Sequence, residues 1–273
     1  RIFMGAGCNK EILPFIPATP CCPCGNQTGV VNCDVTGTRS PESHVDVENL
    51  ESLPPSTPMA SSLGQDNYFT KEVPELRQRQ SSQLPPPGPF ERHTFLSGAT
   101  YLGEWMGYER HGQGQQKWAN GAKYAGQWAK NTASGNGQLV KEDGDSYIGQ
   151  WEHGVASGHG TYRSKGGAVY QGEWSKDRHH GNGVETWPDG SRYEGNFIYG
   201  KKAGYGIFFK ADGSTFSPSS TFAGKWKDNA PCGKGVFRSA EGIEVRGTWN
   251  KESVCGQASY RWPAGQQCDE YKG

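Results

Sequence analysis

The strongest constraint on the fold of this chain is a motif that returns about every 23 residues in its second part. The motif is Tyr-x-Gly-x-Trp, and its later copies replace Tyr or Trp with another apolar residue. The copies begin at Tyr101, Tyr124, Tyr147, Tyr170, Tyr193, Phe222 and Val245. Self-similarity at a fixed period is typical of repeat proteins, in which each unit buries its apolar side chains against its neighbours. The pattern therefore predicts a solenoid of seven units.

Each unit has the pattern of a β-hairpin. Tyr, Gly and Trp stand at alternate positions, so they share one face of a strand. A Gly-x-Gly follows eleven residues after the first residue of the motif and is predicted to reverse the chain into a second strand. Asn120-Gly121 is typical of the turn into the next unit. Glycine weakens a strand, so we expect an aromatic ring to lie over the bare backbone as compensation. The predicted turn glycines are Gly112, Gly114, Gly135, Gly137, Gly158, Gly160, Gly181 and Gly183.

Composition divides the chain into two regions. Residues 1–94 contain 13 of the 17 prolines and none of the nine tryptophans, with little hydrophobic periodicity. A segment of this kind cannot bury enough apolar surface to offset its conformational entropy. We therefore predict a disordered tail over residues 1–94 and an all-β repeat array over 95–273, which ends shortly after an eighth copy begins at Tyr271. An incomplete sequence explains that ending, and self-association through an open sheet edge is the alternative.

The repeat resembles the MORN (membrane occupation and recognition nexus) repeat. The resemblance is closest from Tyr101-Leu102-Gly103-Glu104-Trp105 to His111-Gly112-Gln113-Gly114, and it extends over about residues 95–273. It implies an elongated, twisted, single-layer sheet of stacked hairpins that is itself non-catalytic. The later copies depart from the pattern at Phe197, Phe222, Val245 and Ala258. We therefore expect looser hairpins or a bend at that end.

The aromatic face of this sheet is the predicted binding surface for a protein partner. A helix or peptide would contact exposed Tyr and Trp side chains, which are common hot spots of interfaces. The predicted contact residues are Tyr101, Trp105, Tyr124, Trp128, Tyr147, Trp151, Tyr170, Trp174, Tyr193 and Trp226. Lys117, Arg163, Arg238 and Arg261 recur on the other face. They are candidates for contact with phosphoinositide head groups, and an ordinary solvated face is the alternative. The formal net charge of zero gives no reason to expect nucleic-acid binding.

The N-terminal residues suggest lipid modification. Met4-Gly5-Ala6-Gly7-Cys8 resembles an N-myristoylation start, with Gly5 as the acceptor and Cys8 as a palmitoylation site. Arg1 to Phe3 precede that Met, and the expected Ser or Thr is absent near Asn9. One myristoyl chain gives only marginal membrane binding, so the second acyl group would be needed for stable anchoring. An ordinary unmodified tail is the alternative.

Patterns that indicate catalysis or metal binding are weak. Cys21 and Cys24 have the spacing of a zinc or redox pair, but no second pair accompanies them. His111 and His180 precede the Gly-x-Gly elements, where hydrogen bonding in a turn is the expected role. The Gly-x-Gly elements lack the Lys-Ser/Thr of a phosphate-binding loop. We therefore predict a protein without metal, cofactor or enzymatic activity.

Together these features predict a scaffold or adaptor protein. It would bind protein partners through the repeat sheet and would be cytoplasmic, tethered to a membrane or to the cytoskeleton. The family resemblance also leaves two alternatives. One is the regulatory N-terminal region of a phosphatidylinositol phosphate kinase, and the other is a radial-spoke-type component of a cilium.

Overall fold

The computed structural model describes residues 68–88, 90–211, 218–263 and 270–272. Within these ranges the chain forms one helix, α1 (Val73–Ser81), and sixteen strands. The strands are β1 (Arg92–Thr94), β2 (Thr100–Met106), β3 (Glu109–Lys117), β4 (Lys123–Ala129), β5 (Thr132–Val140), β6 (Ser146–Glu152), β7 (Val155–Arg163), β8 (Val169–Ser175), β9 (Arg178–Thr186), β10 (Arg192–Ile198), β11 (Lys201–Ala211), β12 (Pro218–Lys227), β13 (Ala230–Arg238), β14 (Glu244–Asn250), β15 (Ser253–Arg261) and β16 (Glu270–Lys272).

All of these strands belong to one open antiparallel sheet. Their order in the sheet is their order in the chain, from β1 to β16, so every strand pairs with its sequence neighbours. The prediction of an all-β, single-layer solenoid of stacked hairpins is therefore confirmed. The strand Glu270–Lys272, where the eighth copy of the motif begins, pairs with β15 and extends the sheet by one strand.

Chain reversal inside each hairpin occurs before the Gly-x-Gly element. The turn between β4 and β5 consists of Lys130 and Asn131, with φ angles of 49° and 70°. Two successive residues with positive φ are typical of a type I′ turn, which matches the twist of the flanking strands. The second predicted kind of turn is confirmed, because Asn120-Gly121 connects two repeats and Gly121 donates its N–H to the Trp118 carbonyl oxygen at 3.0 Å.

The prediction that the Gly-x-Gly elements form the turns is therefore wrong. They lie within the strands β3, β5, β7 and β9 as Gly112, Gly114, Gly135, Gly137, Gly158, Gly160, Gly181 and Gly183. The first of each pair lies where the register shifts, as Gly112 does opposite Glu104 in the pairing of β2 with β3. Gly112 has a φ of 59°, and a Cβ there would lie 2.5 Å from the Glu104 carboxyl carbon. The positive φ favours glycine at this bulge, whereas the flexible end of the Glu104 side chain can move aside.

The second glycine of each pair accommodates the Tyr ring of its own hairpin. Gly114 pairs with Gly103 across the hairpin, and a Cβ on Gly114 would lie 2.6 Å from Cζ of Tyr101. The Tyr101 side chain is fully buried as a result. The same arrangement recurs at Gly137 under Tyr124, so the expectation of an aromatic ring over bare backbone is confirmed.

Ordered structure begins well before the predicted boundary at residue 94. Helix α1 has Pro74 in its first turn, where proline is compatible with a helix. Tyr68, Phe69 and Leu76 are buried against the sheet, with exposed fractions of 5%, 4% and 2%. These three apolar side chains, and the short edge strand β1, place residues 68–94 with the array rather than with the tail. Residues 1–67 lie outside the described part of the chain.

Candidate peptide-binding site

The face of the sheet that carries the Tyr and Trp rings, here the ring-lined face, is a continuous aromatic core. In repeats 1 to 3 each Tyr ring of the motif lies edge-to-face between two indoles, as Tyr101 does between Trp105 at 4.9 Å and Trp128 at 5.3 Å. In repeats 4 and 5 the ring of Phe197 replaces one of the two indoles. This geometry is favourable for aromatic pairs. The hydrogen bonds of the rings also stay inside the sheet. Tyr101 donates its hydroxyl to the Glu104 carbonyl oxygen at 2.9 Å, and Trp128 donates its indole N–H to the Gly114 carbonyl oxygen at 3.1 Å.

Burial of these rings corrects the prediction that they are exposed contacts for a partner. Trp105 is partly buried. The other nine predicted contact residues have exposed fractions of 3% or less: Tyr101, Tyr124, Trp128, Tyr147, Trp151, Tyr170, Trp174, Tyr193 and Trp226. Burial also raises the pKa of Tyr101 and of its counterparts well above the usual range. The role of these rings is to hold successive hairpins together. The sequence periodicity alone does not distinguish rings buried between hairpins from rings exposed to a partner.

Phe69 is inserted among the rings of the first three repeats. Its ring lies 5.1 Å from Tyr124, 5.6 Å from Trp128 and 5.5 Å from Trp151. The residues paired across the hairpins with the two indoles are Ala133 and Ala156. The small methyl groups of these alanines leave room for an additional ring beside each indole.

The equivalent position in other repeats carries a larger or charged residue. Arg110 stands opposite Trp105, His179 opposite Trp174 and Lys202 opposite Phe197. Among these five repeats, only repeats 2 and 3 have alanine at this position. The residue at this one repeat position therefore determines where the sheet has room for the Phe69 ring.

A buried ion pair fixes the segment beside Phe69. Arg110 Nη1 lies 3.7 Å from the Glu72 carboxylate, and both side chains are fully buried. Glu72 also accepts hydrogen bonds from Gln116 at 3.0 Å and from the Ser97 hydroxyl at 3.2 Å. Arg110 donates to the Phe69 carbonyl oxygen at 2.7 Å. These contacts satisfy the carboxylate, which is the condition for a buried charge to be tolerated.

The environment of Arg110 is mostly aromatic. Its guanidinium lies 4.6 Å from the centroid of Trp128 and 5.7 Å from that of Phe95. Burial lowers the pKa of Arg110 to about 10, and the neighbouring Glu72 carboxylate opposes that shift. Arg110 stays positively charged at neutral pH, so it presents a charge that requires an acidic partner.

A second ion pair lies on the same face in repeats 4 and 5, and both of its members belong to the sheet. Lys202 Nζ lies 3.3 Å from the Glu185 carboxylate, with side-chain exposures of 3% and 0%. The ammonium also lies 4.5 Å from the centroid of Trp187. Beside it, the His179 ring is stacked on Tyr170 at 3.5 Å, and burial lowers the pKa of His179 to about 3. His179 is therefore neutral at physiological pH.

The remaining predicted site residues have different environments. His111 and His180 lie within strands β3 and β9, so a role in turns is wrong for both. Lys117, Arg163, Arg238 and Arg261 are exposed, and Arg238 binds Glu244 at 2.7 Å. Gly5, Cys8, Cys21 and Cys24 lie outside the described residues. Where the structure describes the chain, no cluster of three or more potential metal ligands is found. The same ranges hold no helix long and apolar enough to cross a bilayer.

The segment that contains Phe69 and Glu72 has no signal in the repeat pattern. It lies in the proline-rich region, and one apolar pair, Tyr68-Phe69, is its main sequence feature. Phe69 and Glu72 lie in the turns before α1, and only Leu76 of the three belongs to the helix, so no helical periodicity links them. Their burial against an aromatic sheet becomes evident only in the folded chain.

Comparison with known families assigns the array. The MORN repeat family matches residues 101–123, 124–146, 147–169, 170–192, 193–215 and 222–243, which together make up about half of the chain. The chain belongs to the MORN repeat family. No curated protein sequence matches it.

Among solved structures, the chain is similar to domains of SAS-4 and CPAP. The TCP domain of Drosophila melanogaster SAS-4 (dCPAP), in complex with a proline-rich motif of Ana2 (dSTIL), is 14% identical, with a TM-score of 0.37 over 69% of this chain and 94% of that one. The E1021V mutant of the Danio rerio CPAP TCP10 domain is 12% identical, with a TM-score of 0.38 over 67% of this chain and 82% of that one. The CPAP G-box domain is 10% identical, with a TM-score of 0.34 over 67% of this chain and 97% of that one.

Proposed function

We propose that this protein is a non-catalytic scaffold that binds helical segments of other proteins on the ring-lined face of its MORN sheet. The observation that supports the proposal is the docking of Phe69 across three repeats. Its ring lies 5.8 Å from Trp118 in repeat 1 and also contacts rings of repeats 2 and 3. A face that buries an aromatic side chain of a short helical segment has the chemistry for helix-in-groove recognition. The rigid sheet supplies the groove, and the bound segment supplies the aromatic anchor.

The scaffold would act by holding its partner at a fixed place in the cell. Tethering to a membrane through Gly5 and Cys8, with phosphoinositide contact through exposed basic residues, stays a prediction, as does attachment to the cytoskeleton. The exposed side chains of Lys117, Arg163 and Arg261 are compatible with such contact. Self-association through the sheet edge is also a prediction.

Photo-crosslinking from two positions tests the proposed binding surface. Ala119 lies in the turn between β3 and β4 and lines an open cleft of about 220 Å³ beside Tyr68 and Lys71. Gln138 is exposed on the face of the sheet opposite the rings. We expect p-benzoylphenylalanine at position 119 to crosslink a partner protein in cells that express this chain, and the same residue at position 138 to give no such product. Crosslinking from position 138 alone would contradict the proposal.

A further inference from the structure

The site over repeats 1 to 3 is already occupied by the chain's own segment Tyr68–Leu76. Phe69, Glu72 and Leu76 have exposed fractions of 4%, 2% and 2%. They follow one another at intervals of three and four residues: Phe69 and Glu72 lie in the turns that lead into α1, and Leu76 lies in its first turns. The residues between them are exposed or half-buried, as Lys71 and Pro74 are. The segment therefore has the form of a bound peptide ligand that happens to be covalently attached.

The positive charge of Arg110 determines which other segments could bind at this site. Arg110 is fully buried, and Glu72 is the carboxylate beside it. An occupant with a neutral or basic residue at that place would leave a buried cation unpaired, which is strongly unfavourable. Arg110 therefore selects segments that have an acidic residue three positions after the aromatic anchor.

The bound segment is attached by its first half, and the second half of α1 makes few contacts. From Arg77 to Ser82 the side chains are exposed, apart from a half-buried Arg79. Arg79 donates to the Pro85 carbonyl oxygen at 3.3 Å, which is a contact within the segment and its linker. A helix of nine residues is too short to be stable alone in water, so release of the anchors would also unfold α1. Docking and folding of the segment are one cooperative event.

We propose that Tyr68–Leu76 is an internal ligand that closes this site, and that a partner segment with an aromatic residue, an acidic residue three positions later and a leucine four positions after that displaces it. The proposal depends on the function proposed above, because the partner uses the same face. A tethered segment competes at an effective concentration in the millimolar range. A partner must therefore bind more tightly than the free segment does, and changes that weaken the internal anchors raise its apparent affinity.

A labelled peptide with the sequence of residues 67–82 serves as the probe, and fluorescence anisotropy measures its binding to the full chain. We expect the double variant Phe69→Ala/Glu72→Gln to bind the probe at least tenfold more tightly than the unaltered chain, because its own segment no longer competes. Leu76→Ala retains Phe69 and the ion pair, and we expect it to show an intermediate gain. Circular dichroism and tryptophan fluorescence establish that each variant is folded.

Changes in the probe itself test the charge selection without altering the protein. A probe with Glu72→Lys should bind the double variant at least tenfold more weakly than the native probe, while one with Lys71→Ala should bind equally well. Equal binding of the native probe to the unaltered chain and to both folded variants would overturn the proposal, as would undiminished binding of the Glu72→Lys probe. If a partner crosslinks at position 119 and the probe does not compete with it, the proposed scaffold function is supported and the proposed internal ligand is contradicted.

Discussion

Asn131 and Asp177 occupy the same turn position in repeats 2 and 4 and make the same contact, although only one of them is ionisable. Asn131 Oδ1 accepts the backbone N–H of Arg110 at 2.9 Å, and Asp177 Oδ1 accepts that of Ala156 at 2.6 Å. Both residues have an exposed fraction of 6%. In each case the side chain connects the turn of one hairpin to the strand of the preceding one, so it couples adjacent repeats.

The charge of Asp177 is unfavourable in this position. Burial raises the pKa of Asp177 above its ordinary value, and the hydrogen bond from the Ala156 amide only partly opposes the shift. We therefore expect Asp177→Asn to retain the hydrogen bond and to raise the melting temperature of the array at neutral pH, because it removes a charge that burial disfavours. Thermal unfolding followed by circular dichroism measures the change.

The pH dependence of this effect has a definite sign. Because the pKa of Asp177 is raised in the folded state, its protonated form is favoured there, and stability is lost as the pH rises through that pKa. The advantage of Asp177→Asn should therefore shrink as the pH falls toward the ordinary aspartate value of 3.8. Asp189→Asn, in an exposed turn, is the matched control and should show little such trend. An advantage that persists undiminished at low pH would contradict the assignment of the effect to charge.

Substitution of the glycine beneath a Tyr ring tests the packing of the hairpins. Gly114→Ala would place a methyl group 2.6 Å from Cζ of Tyr101, and backbone pairing prevents the strand from moving aside. Overpacking of this kind destabilises by about 3 kcal/mol. Gly166→Ala is the control, because its nearest contact would be an ordinary 3.7 Å from the Ser164 hydroxyl. Urea unfolding should show a large loss for the first variant and almost none for the second; similar midpoints for both would refute close packing at Gly114.

Removal of a Tyr hydroxyl should cost less than this overpacking. Tyr147 donates its hydroxyl to the Gln150 carbonyl oxygen at 2.9 Å, and the Tyr residues of repeats 1, 2, 4 and 5 make the same contact. Tyr147→Phe retains the ring and its edge-to-face contacts with two indoles. The expected loss is about 1 kcal/mol, the net contribution of one hydrogen bond. Repeat 6 already has Phe222 at this position, so the fold tolerates the change. A loss as large as that of Gly114→Ala would show that the hydroxyl has a greater role than one hydrogen bond.

The sequence predicts the architecture of the array because one pattern recurs in every repeat. Alternation of Tyr, Gly and Trp identifies the strands, and Asn120-Gly121 identifies a turn between repeats. The hairpin turns were missed because Lys130-Asn131 and Lys176-Asp177 do not have the usual Asn-Gly signature, whereas the nearby Gly-x-Gly does resemble a turn. In the folded chain those glycines provide space for Glu104 and the Tyr101 ring instead, a need that depends on neighbouring strands.

The sequence predicted that the candidate site is aromatic but not which residues form it. The periodic rings correctly indicate an aromatic face, but whether a ring is exposed depends on the packing of adjacent hairpins. Phe69 and Glu72 lie outside the repeats, and their partners Trp151 and Arg110 are 82 and 38 positions away in the chain. No local pattern connects residues at such separations. A charged residue also stands at this repeat position in repeat 5, where it is Lys202, so Arg110 by itself did not indicate an acidic partner outside the repeats.

The buried pair formed by Lys202 and Glu185 allows a final prediction. Burial lowers the pKa of Lys202, and the Glu185 carboxylate opposes that shift. Glu185→Gln removes the opposing charge, and we expect a loss of about 3 kcal/mol because a buried cation is left uncompensated. The double variant Glu185→Gln/Lys202→Met removes both charges and should be more stable than the single variant. The exposed pair of Lys201 and Asp228 is the control, and Asp228→Asn should leave the unfolding midpoint unchanged. If the double variant is less stable than Glu185→Gln alone, the loss in Glu185→Gln does not come from an uncompensated Lys202 charge.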